Sequence, residues 1–157
     1  MRVMDGPNAA GHDEVYIEPI GYVVTGERDV SRQDWSRVRS EVQLRDDLAP
    51  ALLGLEDYSH VIVLGWLDRI PDELRQRLRA YPSGDKRLPV QGALALRGGA
   101  RPNPLAVTVC RLLGIEGDTL RLEGLDLVDG TPVLDVKPYI AYYDSVPDAK
   151  LPKWAGG

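Results

Sequence analysis

Between residues 89 and 137 four apolar runs of strand length, 89–97, 105–113, 119–123 and 133–137, follow one another with short gaps. Glycine and proline punctuate them, as in "GIEGD" (114–118) and "VDGTP" (128–132). Short strands with turn signals at such spacing form antiparallel barrels or sandwiches. Upstream, "HVIVLGWL" (60–67) is apolar on both alternating faces and reads as a buried strand. "VYIEPIGYVV" (15–24) reads as a strand whose proline indicates an edge or a bulge, and "SEVQL" (40–44) as a short strand. The polar, arginine-rich stretch 25–39, with Trp35 in its middle, reads as a long loop, and "APALLGLEDY" (49–58) as one helical turn stopped by glycine.

"IPDELRQRLRAY" (70–81) predicts a helix. Pro71 sits near its first turn, with Asp72 and Glu73 at the positive end of the dipole and Arg77 and Arg79 near the negative end. Ile70, Leu74, Leu78 and Tyr81 fall on one stripe. The resulting architecture is mainly β, an antiparallel barrel or sandwich with one or two short inserted helices. Regular strand–helix alternation and a dinucleotide-binding glycine fingerprint are absent, so a Rossmann domain is not expected. The 157 residues suit one domain, assigned to 15–150, between a disordered tail at 1–14 and a C-terminal tail at 151–157.

No apolar run reaches membrane-spanning length, and the N-terminal stretch lacks the apolar core of a signal peptide. The single cysteine, Cys110, cannot form an intramolecular disulfide and fits a reducing compartment, which makes the cytoplasm the expected location. A net charge of −5 argues against a polyanionic partner, yet the charge is unevenly spread. Residues 69–101 hold eight basic side chains against three acids, a local surplus that can steer a polyanion or can be a solvated face.

Few groups suit covalent or metal chemistry. His12 lies in the N-terminal tail, and His60 opens a buried strand with no partner at ligand spacing, which suits a structural hydrogen bond. Cys110 stands in "AVTVCRLL" with no neighbouring base and reads as a small core residue. There is no phosphate-binding loop, nucleophile elbow or paired-cysteine motif. What remains is arginine, aspartate and rigid backbone. On a strand through 91–97, Gln91, Ala93, Ala95 and Arg97 share a face, either as a small-residue floor ending in an anion clamp or as close packing with Arg97 in solvent. "DLVDGTP" (126–132) reads as a hairpin turn or a binding loop. In "ALRGGARPNPLAV" (95–107), Asn103 is locked between Pro102 and Pro104, which fixes its backbone.

"IEPIGYVV", "GLEDYSHVIVLGWL", "ARPNPLAVTVCRLLGIEGDTLRLEGLDLVDGTPVLDVKPYI" and "SVPDA" occur in this order. Over roughly residues 16–150 the chain closely resembles the TrmO-type family of S-adenosylmethionine-dependent tRNA methyltransferases, also called TsaA-like or YaeB-like. The resemblance implies a homodimeric β-barrel that methylates the exocyclic amine of a threonylcarbamoyl-modified adenosine beside the anticodon of tRNA, with no metal and no membrane. It implies a cofactor site at Arg97, at Asp126, Leu127, Val128, Asp129, Gly130 and Thr131, at Leu67 and Asp68 after the buried strand, and, by a looser match, at Arg32 and Gln33. Asn103 and Arg101, from the Arg-Pro-Asn-Pro corner, and Lys137 and Tyr139, from "DVKPYIAYYDS" (135–145), are implied on the acceptor side.

The chain departs from the family pattern at several places, the N-terminal loop among them. Gly98-Gly99-Ala100 stands where the family commonly has Ser-Pro-His, Ala106 where it often has glycine, and Asp68 where it commonly has histidine. Methylation of another nucleoside or small molecule, or a non-catalytic dimer that binds S-adenosylmethionine or RNA, are the alternative readings.

Overall fold

A barrel of six strands forms because six segments each turn one alternating row of side chains inward. The structure, a computed structural model, describes residues 15–155. Its strands are β1 (Gly21–Val24), β2 (Arg39–Leu44), β3 (His60–Trp66), β4 (Arg79–Ala80), β5 (Gln91–Gly92), β6 (Leu105–Glu116), β7 (Thr119–Glu123) and β8 (Pro132–Pro138). The barrel closes in the order β1-β2-β7-β6-β3-β8, with every neighbouring pair antiparallel. The expected mainly β, antiparallel barrel is the architecture observed.

Alternation determines which side chains fill it. Val42 and Leu44 of β2, Leu120 and Leu122 of β7, Val61 and Val63 of β3, and Val133 of β8 are all buried. Leu125 and Leu127, from the segment between β7 and β8, plug the same core. Gly65 makes room for this plug: a Cβ there would lie 2.7 Å from a Leu127 methyl. Cys110 points inward from β6 and is buried, as its apolar surroundings predict.

β6 is the longest strand, and its two neighbours cover different parts of it. β3 pairs with Leu105–Arg111, whereas β7 pairs only with Arg111–Glu116. Residues 105–110 therefore have no strand partner on the β7 side, and loops occupy that edge.

Four expectations are corrected. The helix over 70–81 is a single turn, α1 (Asp72–Arg75), because the stripe finds no surface to cover: Leu78 is 70% exposed, and its carbonyl accepts from the Ala93 amide. A segment this short is not stable as a helix without packing. The chain instead extends so that β4 pairs with β5 in a separate two-stranded ribbon. The strand over 89–97 shrinks to β5, and Ala93–Ala95 form a 3-10 turn, so Gln91, Ala93, Ala95 and Arg97 do not share a strand face. The strand over 15–24 begins only at Gly21 and is an interior strand, paired to β2 and β8. The helical turn at 49–58 is two 3-10 segments, Asp46–Leu52 and Leu55–Asp57, separated by Gly54 at φ 87°.

A second single turn, α2 (Ala141–Asp144), follows β8. The tail at 1–14, with His12, lies outside the described residues. The C-terminal stretch expected as a tail is partly folded, with Trp154 half-buried. Among the described residues no helix is long and apolar enough to cross a membrane.

Leu122→Ala should lower the stability of the barrel by about 2–5 kcal/mol, since it leaves a core cavity. Leu78→Ala should change it by no more than about 0.5 kcal/mol. Urea unfolding of the two variants checks both; a large loss at Leu78 would mean that the 70–81 stripe packs after all.

Candidate functional site

The insertion between β3 and β6 leaves and re-enters the barrel at one point. The Leu67 amide, just past β3, donates to the Pro104 carbonyl, just before β6, at 2.9 Å. Arg75 from α1 pins the same corner: its Nε donates to the Pro102 carbonyl at 3.0 Å, and its guanidinium lies 5.4 Å from the Trp66 ring centroid. The Leu105 amide donates back to the Asn103 carbonyl at 2.7 Å. With its backbone held this way, Asn103 stays exposed, and its carboxamide makes no hydrogen bond among the described residues.

Two arginines reach back to backbone oxygens nearby. Arg97 Nη2 donates to the Val107 carbonyl, on the uncovered length of β6, at 2.9 Å. Arg101 Nη1 donates to the Leu96 carbonyl at 2.9 Å. A carbonyl partner orients a guanidinium without neutralising it, and the remaining donors stay available for an anion.

The segment from Leu125 to Thr131 faces this corner. Leu125, Leu127 and Val128 are buried and Asp126 between them is exposed, so the carboxylate is carried on a fixed apolar plug. The Thr108 hydroxyl, from the uncovered length of β6, donates to Asp126 Oδ1. Asp129 is turned the other way: it accepts from the Thr25 amide at 3.1 Å and lies 3.7 Å from Arg28. Gly130, at φ 78°, and the Thr131 hydroxyl, donating to the Val128 carbonyl at 2.7 Å, complete the turn. Arg69 Nη2 reaches across from the β3 side to the Asp129 carbonyl at 2.8 Å.

Two adjoining cavities result. The smaller, about 310 Å³, lies between the plug, the start of the insertion and the 25–39 loop; Trp35, Leu67, Ile70 and Val128 supply apolar walls and Asp68 and Asp126 carboxylates. The larger, about 610 Å³, lies against the uncovered edge of β6 and is lined by Arg97, Arg101, Asn103 and Thr108. Leu67, Asp126 and Leu127 border both. An apolar slot with one or two carboxylates suits a nucleoside, and a wall with two arginines suits a carboxylate or phosphate. Among the described residues no group of three or more His, Cys, Asp or Glu side chains is placed to hold a metal ion.

The structure thus brings Leu67, Asp68, Arg97, Arg101, Asn103, Asp126, Leu127, Val128 and Thr131 together around these two spaces. Asp129 and Gly130 shape the turn and line neither. Arg32 and Gln33 also line neither. Arg32 is engaged within its own loop by Glu27 at 2.7 Å, and the Gln33 amide by the Ser31 carbonyl at 2.8 Å. The hydrogen bond from the Asp29 amide holds the Glu27 carboxyl below its usual range, with Arg32 adding to it, so the loop is tied by charge. Lys137 and Tyr139 are elsewhere: Lys137 is opposite Ile62, four residues along β3 from the Trp66 end, which is roughly 13 Å at the usual rise. Lys137 binds Asp135 at 2.7 Å, and that hydrogen bond and charge raise its pKa. The Tyr139 ring stands edge-on to His60, whose Nδ1 pairs with the Ser59 hydroxyl at 2.8 Å.

Sequence reasoning missed Val30, Trp35, Arg69, Ile70 and Thr108 as wall residues. A tryptophan in an otherwise polar loop is a signal that could have found Trp35. Thr108 carried none, because its importance depends on β7 ending short.

Residues 26–145 match the model of the tRNA-methyltransferase O N-terminal domain. An S-adenosyl-L-methionine-binding protein of Archaeoglobus fulgidus is 34% identical over 134 residues, covering 83% of this chain and 93% of that protein. The mouse (Mus musculus) tRNA (adenine(37)-N6)-methyltransferase is 35% identical over 140 residues, covering 82% of this chain and 31% of its own length. A crystal structure of TrmO superposes with a TM-score of 0.72 at 34% identity, over 88% of this chain and 64% of the other. This chain therefore spans nearly all of the first protein and less than two thirds of the other two.

The thiol of Cys110, beneath the site, is pushed up to about 12, first by burial and then by the negative charge of Asp126. In the unfolded chain it titrates near 9, so its contribution to stability is intact below that pH and is lost as pH rises from about 9 to about 12. Cys110→Ala should accordingly show a shallower loss of urea stability above pH 9 than the parent. At pH 8 a thiol-reactive disulfide reagent should label Cys110 only after unfolding; prompt labelling of the native protein would contradict this burial.

Proposed function

The chain belongs to the family of the tRNA-methyltransferase O N-terminal domain, and from that membership we propose that it is an S-adenosylmethionine-dependent tRNA methyltransferase. Its substrate on this reading is the exocyclic N6 amine of threonylcarbamoyl-modified adenosine beside the anticodon, and the reaction takes place in the cytoplasm as a homodimer. The names of the Archaeoglobus and mouse relatives support the cofactor and the tRNA adenine respectively.

The observation that carries the reading is the shared border of the two cavities at Leu67, Asp126 and Leu127. It is where a donor reaching from the smaller cavity toward Arg97 and an acceptor held at Asn103 would meet. The residues present fit the cofactor. The apolar slot between Leu67, Val128 and Trp35 suits its adenine, Asp126 or Asp68 its ribose hydroxyls or adenine amine, and Arg97 its carboxylate. When bound, S-adenosylmethionine supplies a methyl group on a positively charged sulfur.

The chain's own contribution is orientation. The Thr108 hydroxyl occupies one oxygen of Asp126, which leaves the other to accept from a ligand. Arg97 is fixed at Val107 and presents its other nitrogens to a carboxylate. Asn103, its backbone locked by two prolines and the Arg75 contact, offers a carboxamide oxygen that can accept a hydrogen bond from the acceptor amine and hold it in line. Arg101 keeps the corner closed on Leu96 and adds positive potential for an anionic nucleotide. Alignment of this kind can supply up to about 7–11 kcal/mol of the barrier. Lys137 and Tyr139 line neither of these two cavities. A homodimer is supported by the outward row of β6, where Leu105, Val107 and Val109 are 40–50% exposed.

Calorimetric titration with S-adenosylhomocysteine, followed by methyl transfer to tRNA, tests the reading; a folded protein that takes up neither ligand would refute it. Arg97→Ala should weaken S-adenosylhomocysteine by about 1.5–3 kcal/mol. Asn103→Ala should keep that affinity and lose turnover. Val109→Glu should convert a dimer to a monomer in sedimentation analysis, and a monomeric parent would remove the dimer from the proposal.

A further inference from the structure

A third cavity, about 620 Å³, opens behind the Arg97–Ala100 segment, between the 80–84 turn and the C-terminal stretch. Trp154, Tyr81 and Leu151 give it aromatic and apolar walls, Gly98 and Gly99 give it bare backbone, and Arg97 is its one charged residue. It adjoins both cavities of the candidate site: Arg97 also lines the larger and Gly99 the smaller. Among the described residues nothing fills the space at Gly98, where an added Cβ would meet no atom within 4 Å. Ser83, on the opposite wall, is held at φ 50°, a costly conformation for a residue with a side chain and one that clusters at ligand clamps.

Three cations lie within three residues of its lining along the chain. Arg77, Arg79 and Lys86 are exposed and make no ion pair among the described residues, while Asp85, the nearby acid, is taken by Arg87 at 2.7 Å. A space walled by two aromatic residues and an arginine, with further cations close by in the chain and no carboxylate in its walls, fits an unpaired nucleobase on an anionic backbone. Unstacked bases in RNA loops are held in this way on aromatic faces.

We propose that the Trp154 cavity is a stacking subsite for the nucleobase next to the target adenosine in the anticodon loop. The inference rests on the tRNA reading above. It assigns the Gly98-Gly99-Ala100 segment a purpose: lacking bulky side chains, this stretch lets one strand of RNA occupy the acceptor cavity and the third cavity on either side of Arg97.

The test uses an RNA hairpin carrying the anticodon stem and loop, with 2-aminopurine beside the target adenosine, titrated with the full chain in the presence of S-adenosylhomocysteine. The parent should bind and quench the probe. Trp154→Ala should lose the quenching and about tenfold or more of the RNA affinity, with S-adenosylhomocysteine affinity unchanged. Trp154→Phe should recover most of the loss. Gly98→Leu should plug the space and weaken RNA in the same way. Parent-like RNA affinity and quenching in Trp154→Ala would overturn the subsite alone, as would an equal loss of RNA and S-adenosylhomocysteine affinity, which would make Trp154 a packing residue for the Arg97 segment. A parent that binds S-adenosylhomocysteine but no RNA would overturn the tRNA reading and the subsite with it.

Discussion

The uncovered length of β6 is the constraint on which the site depends. β7 has five residues and β6 has twelve, so Leu105–Cys110 keep β3 on one side and have no strand on the other. Exposed strand edges must be paired, charged or covered. Here the loops cover it: Arg97 bonds to the Val107 carbonyl, and Thr108 bonds to Asp126. A wider β7 would give a more regular barrel and no cavity along this edge.

The basic surplus of the insertion makes physical sense once its partners are known. Arg69, Arg75, Arg97 and Arg101 each donate to a backbone carbonyl, which fixes their direction and leaves their charge in place. Of the eight basic side chains between 69 and 101, Arg75, through Asp72 at 3.4 Å, and Arg87, through Asp85, are the two with a carboxylate partner among the described residues. An acidic protein thereby keeps a local surplus of positive side chains in this insertion, which can attract an anion without making the whole molecule basic.

Rigidity at the Pro102-Asn103-Pro104 corner has two independent sources. The prolines restrict φ locally. Arg75, itself packed on Trp66, and the Leu67 amide hold the same corner from outside. Neither source by itself would aim the Asn103 carboxamide: prolines set a backbone shape, and the outside contacts set where that shape sits relative to β3 and β6.

Alternating apolar residues and closely spaced turns determined an antiparallel β frame from sequence alone, barrel or sandwich, because a two-residue period and short connections leave few other ways to bury Val61, Val63, Leu120 and Leu122; that β1 closes on β8 into a barrel is a property of the tertiary structure. The Arg-Pro-Asn-Pro corner and the Asp126–Thr131 turn were legible for the same reason, since proline and glycine act on their own backbone. Arg77, Leu78 and Tyr81 read as helix because local signals agreed, yet a stripe stays helical only where something lies opposite it, and Leu78 is left 70% exposed. Tertiary structure alone decided that Asp126 and not Asp129 faces the cavities, that Thr108 holds it, that Lys137 and Tyr139 lie away from Asn103, and that Trp154 folds back beside Arg97. Each of these is a contact between segments far apart in the chain, decided by where strands end, and strand ends depend on neighbours that no local pattern contains.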